Sequence, residues 1–139
     1  MTFIGKFHLL VVHFPIALVL AAAAAELGVI ATTHKAWRTV AVANIRAGAA
    51  IGIVTAITGW LFASSPLVDA GPSLEWHRWV GMAGAAGAIG AALLSSRLHV
   101  TSRRSEFMYR FTLFVTALLV AITGHLGGTL VWGAGFFRP

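Results

Sequence analysis

The chain has 139 residues, of which 58% are hydrophobic and only 10% are charged, and its mean hydropathy is +0.86. Soluble domains carry about 25% charged residues, so this composition excludes a soluble globular protein, a disordered tail and a nucleic-acid module. The chain has no Cys, which excludes disulfides, iron–sulfur clusters and covalently attached haem. Its net charge of +6 comes from basic residues that lie between apolar runs, as they do in membrane proteins.

Four apolar stretches approach the ~20 residues that a membrane-spanning helix requires. They cover about residues 7–30, 45–63, 79–96 and 111–132, and the connections between them are short. Consecutive helices with short connections pack as antiparallel neighbours. We therefore expect an all-α membrane protein with a single domain over residues 1–139, folded as an up-down bundle of four transmembrane helices.

The distribution of Lys and Arg sets the expected orientation. Seven basic residues fall in or beside the first and third connections: Lys35, Arg38, Arg46, Arg97, Arg103, Arg104 and Arg110. Three lie on the opposite side: Lys6, Arg78 and Arg138. Because cytoplasmic connections carry the excess of Lys and Arg, we expect both termini on the periplasmic side of a bacterial inner membrane. Four Trp residues fall at the predicted outer helix ends and form an interfacial belt: Trp60, Trp76, Trp79 and Trp132.

Four of the six His residues fall in the predicted outer half of the membrane. His34 and His99 lie in the cytoplasmic connections and are expected to be solvated. The other four form two tiers about 10 Å apart in depth, an upper tier of His8 and His77 and a lower tier of His13 and His125. A His at a membrane surface often packs like a Tyr or Trp, whereas a deep ionisable residue indicates function.

Haem b is the cofactor that these residues suit best, because imidazoles hold it without a Cys. Three small residues beside His125 leave room for its wide ring: Gly124, Gly127 and Gly128. His13 and His125 come from the first and last helices, which are neighbours in an up-down ring, so we expect them to be axial ligands. His8 and His77 would hold a second haem or support the first. Two outer cations are suited to pair with haem propionates: Lys6 and Arg78.

Two other interpretations of the same residues stay open. The four His could hold copper or zinc, although the three Met residues form no cluster and no hydrolytic motif is present. The chain could instead be a haem-free structural or assembly subunit of a membrane complex. Small residues at 48 and 52, and every third residue from 81 to 90, are Gly and predict close helix packing.

Two further features of the first helix predict local structure. Pro15 lacks a backbone donor and crowds the carbonyl of Val11, so a bend is expected there. Glu26 and Arg46 are each ten positions from a turn expected near Ala36, so they should lie at one depth and form a buried ion pair. The functional alternative for this pair is a proton or quinone site.

Three motifs resemble a known bacterial membrane family, domain of unknown function 2231. They are FHLLVVHFPIAL at 7–18, WHRWVG at 76–81 and GHLGGTLVWG at 124–133. The resemblance implies a four-helix inner-membrane protein, and relatives fused to c-type cytochrome or Rieske domains imply electron transfer. We therefore expect an electron-transfer protein rather than a stand-alone enzyme, with lipid, quinone and a periplasmic redox protein as partners. It would act as a homo-oligomer or as a subunit of a larger complex.

Overall fold

The structure is a computed structural model that describes residues 2–66, 68, 70–98, 102–133 and 135. Five helical segments make up nearly all of the described chain. They are α1 (Thr2–Val11), α2 (His13–Thr32), α3 (Lys35–Ala63), α4 (Pro72–Ser95) and α5 (Arg103–Trp132). The all-α fold is therefore confirmed.

A short break at Val12 separates α1 from α2 and is explained by Pro15. Pro15 has no N–H for the carbonyl of Val11, and its ring crowds that carbonyl. The N–H of Val12 still donates to the carbonyl of His8 at 2.9 Å, so α1 and α2 continue as one rod. The break falls where the bend was expected, and the bend itself stays a prediction.

Three helical stretches are long and apolar enough to cross a membrane: Phe3–Thr32, Lys35–Ala63 and Arg103–Trp132. Each is longer than the apolar run that predicted it, and α3 begins ten positions earlier than expected. The remaining predicted span, 79–96, forms as α4, a helix of 24 residues. The charged Arg78 and four Gly residues lower its hydropathy, and it does not reach the apolarity of the other three.

The helices form an antiparallel ring in which each packs against the next. α2 packs against α3 and α5, and α4 also packs against α3 and α5. A Cβ at Gly48 would lie 3.3 Å from Val19, and one at Gly84 would lie 3.3 Å from Val120, so both hairpins run antiparallel. The α1–α2 rod and α4 therefore occupy opposite corners, and the up-down arrangement is confirmed.

Small side chains fill much of the interior and large apolar side chains cover the surface, the reverse of the arrangement in a soluble protein. Ala22, Ala41 and Ala91 are completely buried in the interior, which lets the helices approach closely. Large apolar side chains face outward, and Leu93 and Leu118 are 67% and 62% exposed. Such a surface would be costly in water and is favourable in lipid.

Candidate functional site

The upper-tier histidines meet in the middle of the bundle near one end. His8 on α1 and His77 on α4 come from opposite corners of the ring, and their ring centroids are 6.3 Å apart with the planes at 79°. Four Trp residues lie towards the same end, which we call the tryptophan end: Trp60, Trp76, Trp79 and Trp132. Both rings are partly buried, and they are the two imidazoles that the structure brings together.

A backbone carbonyl fixes each of these rings. Nδ1 of His8 lies 3.0 Å from the carbonyl oxygen of Thr55 on α3, and Nδ1 of His77 lies 3.1 Å from that of Thr123 on α5. A carbonyl oxygen only accepts hydrogen bonds, so each Nδ1 carries the proton and donates it. Each Nε2 then keeps its lone pair, the arrangement typical of an imidazole that ligates a metal.

Glycine makes room for each ring one helical turn beyond the accepting Thr. A Cβ at Gly59 would lie 2.7 Å from Cε1 of His8, and one at Gly127 would lie 3.0 Å from Cε1 of His77. The first distance is too short for any real side chain. The same arrangement, a Thr carbonyl followed four positions later by Gly, therefore positions one His in each hairpin.

The lower-tier histidines lie on the outside of the bundle. His13 at the start of α2 and His125 on α5 are both exposed. A Cβ at Gly124, beside His125, would lie 3.5 Å from Ile16. The two histidines therefore lie at a similar height along the bundle, on neighbouring helices. Their assignment as axial ligands stays a prediction.

The remaining predicted haem contacts are distributed over the same end. The guanidinium of Arg78 stacks over the ring of Trp60, 3.8 Å from its centroid, and Trp60 packs edge-to-face on Trp79. Lys6 lies beside the apolar side chains of Phe3 and Phe7. A Cβ at Gly128 would meet no atom within 4 Å. His99 and Arg138, predicted to be surface residues, lie outside the described residues.

A cluster of four charged residues lies at the other end of the bundle, which we call the ion-pair end. Oε1 of Glu26 accepts hydrogen bonds from Nη2 of Arg38 and Nε of Arg110, both at 2.8 Å. Glu106 binds the same two guanidinium groups at 2.8 and 2.9 Å. Because Glu26, Arg38 and Arg110 come from α2, α3 and α5, the cluster ties three helices together.

The predicted ion pair between Glu26 and Arg46 is wrong. Nε of Arg46 donates to the hydroxyl of Ser95 on α4 at 3.0 Å, while Glu26 pairs with Arg38 and Arg110. The turn between α2 and α3 lies at residues 33–34 rather than near residue 36. The position opposite Glu26 is therefore Ala41, and Arg46 lies about 7.5 Å farther along α3.

The chain matches the family described as predicted membrane protein (DUF2231) over residues 6–137. It belongs to this family. No curated protein and no solved structure matches the chain. The DUF2231 family has no function in its description, so its function must be argued from the site itself.

The sequence did not identify Thr55, Gly59 and Thr123 as residues that position the histidine rings. A backbone carbonyl carries no signal in the sequence, because every residue has one. The spacing of Thr and Gly by four positions occurs at 55–59 and again at 123–127. The same spacing also occurs at 129–133, so it could not by itself have identified the two sites.

Proposed function

We propose that this DUF2231 protein is a haem b-binding electron-transfer subunit of the bacterial inner membrane, in which His8 and His77 would hold the haem. The observation that carries the proposal is the pairing of two imidazoles from opposite corners of the bundle, each oriented by a backbone carbonyl. The proposal keeps the predicted cofactor and moves the ligands from the lower tier to the upper tier.

The separation of the two rings supports this assignment. Two imidazole nitrogens that would bind one metal at about 2.0 Å each are compatible with ring centres about 6 Å apart. The centroids of His8 and His77 are 6.3 Å apart. Their lone-pair nitrogens also suit iron, and two ligands fall short of the four that structural zinc requires.

The bundle supports the proposal in two further ways. The residues that flank the pair on α3 and α5 are Gly59 and Gly127, which bring backbone rather than side chains against the site. Haem b, when bound, would supply reversible one-electron chemistry. His8 and His77 would hold it near the tryptophan end, within reach of a periplasmic redox protein, and quinone would be the membrane partner.

The four-span topology is part of the proposal. The α3 and α5 helices both run from the ion-pair end to the tryptophan end, so the chain has to return between them. The α4 helix lies between them, and its 24 residues extend about 36 Å, enough to cross the ~30 Å hydrocarbon layer. With the basic ion-pair end in the cytoplasm, both termini would be periplasmic.

The test is the absorption spectrum and haem content of the purified protein after expression with ample haem. We expect a reducible b-type spectrum in the wild type, and loss of bound haem in His8→Ala and in His77→Ala. His34→Ala is the matched control, because His34 is exposed at the ion-pair end and should leave the spectrum unchanged.

Two results would overturn the ligand assignment or the function. Haem that survives both upper-tier substitutions and is lost in His13→Ala or His125→Ala would return the ligands to the lower tier. A wild-type protein without haem would refute the cytochrome proposal. Elemental analysis would then distinguish a copper or zinc site from a structural subunit.

A further inference from the structure

A cavity of about 390 Å³ opens at the ion-pair end, beside the end of α2 and the starts of α3 and α5. Both hairpins contribute to its wall, which carries four charged and two large apolar residues: Lys35, Arg38, Arg103, Glu106, Val29 and Leu98. We propose that this cavity binds a phosphate group, and that the phosphate belongs to the headgroup of an anionic phospholipid.

The charge of the cavity is the first support. Of the three cations in the wall, Arg38 is already paired with Glu26 and Glu106, which leaves Lys35 and Arg103 to give the cavity its net charge. Within the part of the chain that the structure describes, Lys35 and Arg103 form no ion pair. The wall therefore carries uncompensated positive charge, which favours an anion.

The accessible donors in the wall are the second support. Arg38 uses Nη2 for Glu26 and Glu106, and its Nε is buried, so it is closed to a ligand in the cavity. Lys35 and Arg103 line the cavity and are exposed, and a phosphate oxygen is a strong acceptor for their charged groups.

The helix ends that border the cavity add to this potential. Lys35 is the first residue of α3 and Arg103 is the first residue of α5. Neither preceding residue, His34 or Ser102, caps its helix with a side-chain hydrogen bond. The first amide groups of both helices therefore remain available as donors for an anion.

The surroundings favour a lipid as the source of the phosphate. Exposed aromatic side chains lie at this end of α3 and α5, at Trp37 and Phe107, and aromatic residues in such positions mark the headgroup level. The apolar part of the wall, Val29 and Leu98, suits the start of an acyl chain. Basic pockets between membrane helices recognise anionic headgroups in this way.

Binding can be measured by native mass spectrometry of the detergent-solubilised protein, titrated with phosphatidylglycerol, phosphatidylcholine or inorganic phosphate. We expect tighter retention of phosphatidylglycerol than of phosphatidylcholine. The variant Lys35→Gln/Arg103→Gln should weaken that retention about thirtyfold, since each cation contributes about 1 kcal/mol near a membrane surface. Arg97→Gln/Arg104→Gln is the control, because it removes the same charge at the same end from outside the cavity wall.

Each outcome of this titration either supports or overturns the proposed lipid site. Loss of phosphatidylglycerol binding in the first variant alone supports the site, and an equal loss in both variants would reduce it to general attraction and overturn the proposal. Inorganic phosphate bound with the same dependence on Lys35 and Arg103, without phosphatidylglycerol, would keep the phosphate site and refute the lipid. This proposal is independent of the haem assignment.

Discussion

At the scale of single residues, the carboxylate of Glu26 is the charged group whose burial depends most on its partners. Its side chain is 0% exposed, and a charge in such a position is tolerated only when it is paired and hydrogen-bonded. Oε1 accepts two charge-assisted hydrogen bonds, from Arg38 and Arg110. The Arg38 guanidinium also lies over the ring of Tyr109, 5.6 Å from its centroid, which holds it in place.

We expect Glu26→Gln to destabilise the protein by about 3–5 kcal/mol, the usual cost of breaking a buried ion pair. The substitution keeps the size of the side chain but leaves two guanidinium groups without their buried counter-charge. Arg46→Gln should cost only about 0.5–1.5 kcal/mol, because Arg46 loses one hydrogen bond to Ser95. Thermal unfolding in detergent measures both.

A double-mutant cycle separates the two possible partners of Glu26. The losses from Glu26→Gln and Arg110→Gln should be far from additive, because the two side chains meet. Those from Glu26→Gln and Arg46→Gln should add. Strong coupling between Glu26 and Arg46 would contradict the arrangement described above.

At the scale of helices, the packing of α4 against α5 depends on a row of glycines. Gly81, Gly84, Gly87 and Gly90 all face α5, each about one turn from the next. Their partners on α5 include Val120 and three Thr side chains: Thr112, Thr116 and Thr123. The closest approach is at Gly87, where a Cβ would overlap the hydroxyl of Thr116.

Two alanine substitutions in this row should have different effects. In Gly87→Ala the new methyl group collides with Thr116, whose buried hydroxyl donates to the carbonyl of Thr112, so we expect a loss of about 1–3 kcal/mol from overpacking. In Gly90→Ala the new Cβ would lie 3.6 Å from Thr112, an ordinary contact. That variant should be neutral, or up to about 1 kcal/mol more stable from helix propensity. Equal melting temperatures would argue against the close approach at Gly87.

The sequence predicted elements well and side-chain partners less well. The helix break just before Pro15 and the close packing at the glycines follow from local chemistry, and both are found. The partners of Glu26 depend on the exact turn position and on the reach of Arg38 and Arg110, and neither can be read from spacing. The meeting of His8 and His77 depends on which corner of the ring each helix occupies, which only the packed bundle determines.

At the scale of the whole molecule, the two ends of the bundle differ in charge and in aromatic content. The ion-pair end carries the two hairpin turns and most of the Lys and Arg residues, whereas Thr2 at the start of α1 and Trp132 at the end of α5 lie at the tryptophan end. Orientation in the membrane therefore decides which compartment the His pair faces, and it decides which leaflet supplies lipid to the basic cavity.

Reporter fusions test this orientation. Because cytoplasmic connections are rich in Lys and Arg, a fusion after Pro139 should be active as alkaline phosphatase and dark as green fluorescent protein. A fusion after Arg97, at the end of α4, should show the reverse pattern, since α4 would have returned the chain to the cytoplasm. Phosphatase activity at both positions would mean that α4 does not cross the membrane. A fluorescent fusion after Pro139 would mean that the bundle has the opposite orientation. The His pair would then face the cytoplasm, out of reach of any periplasmic redox protein.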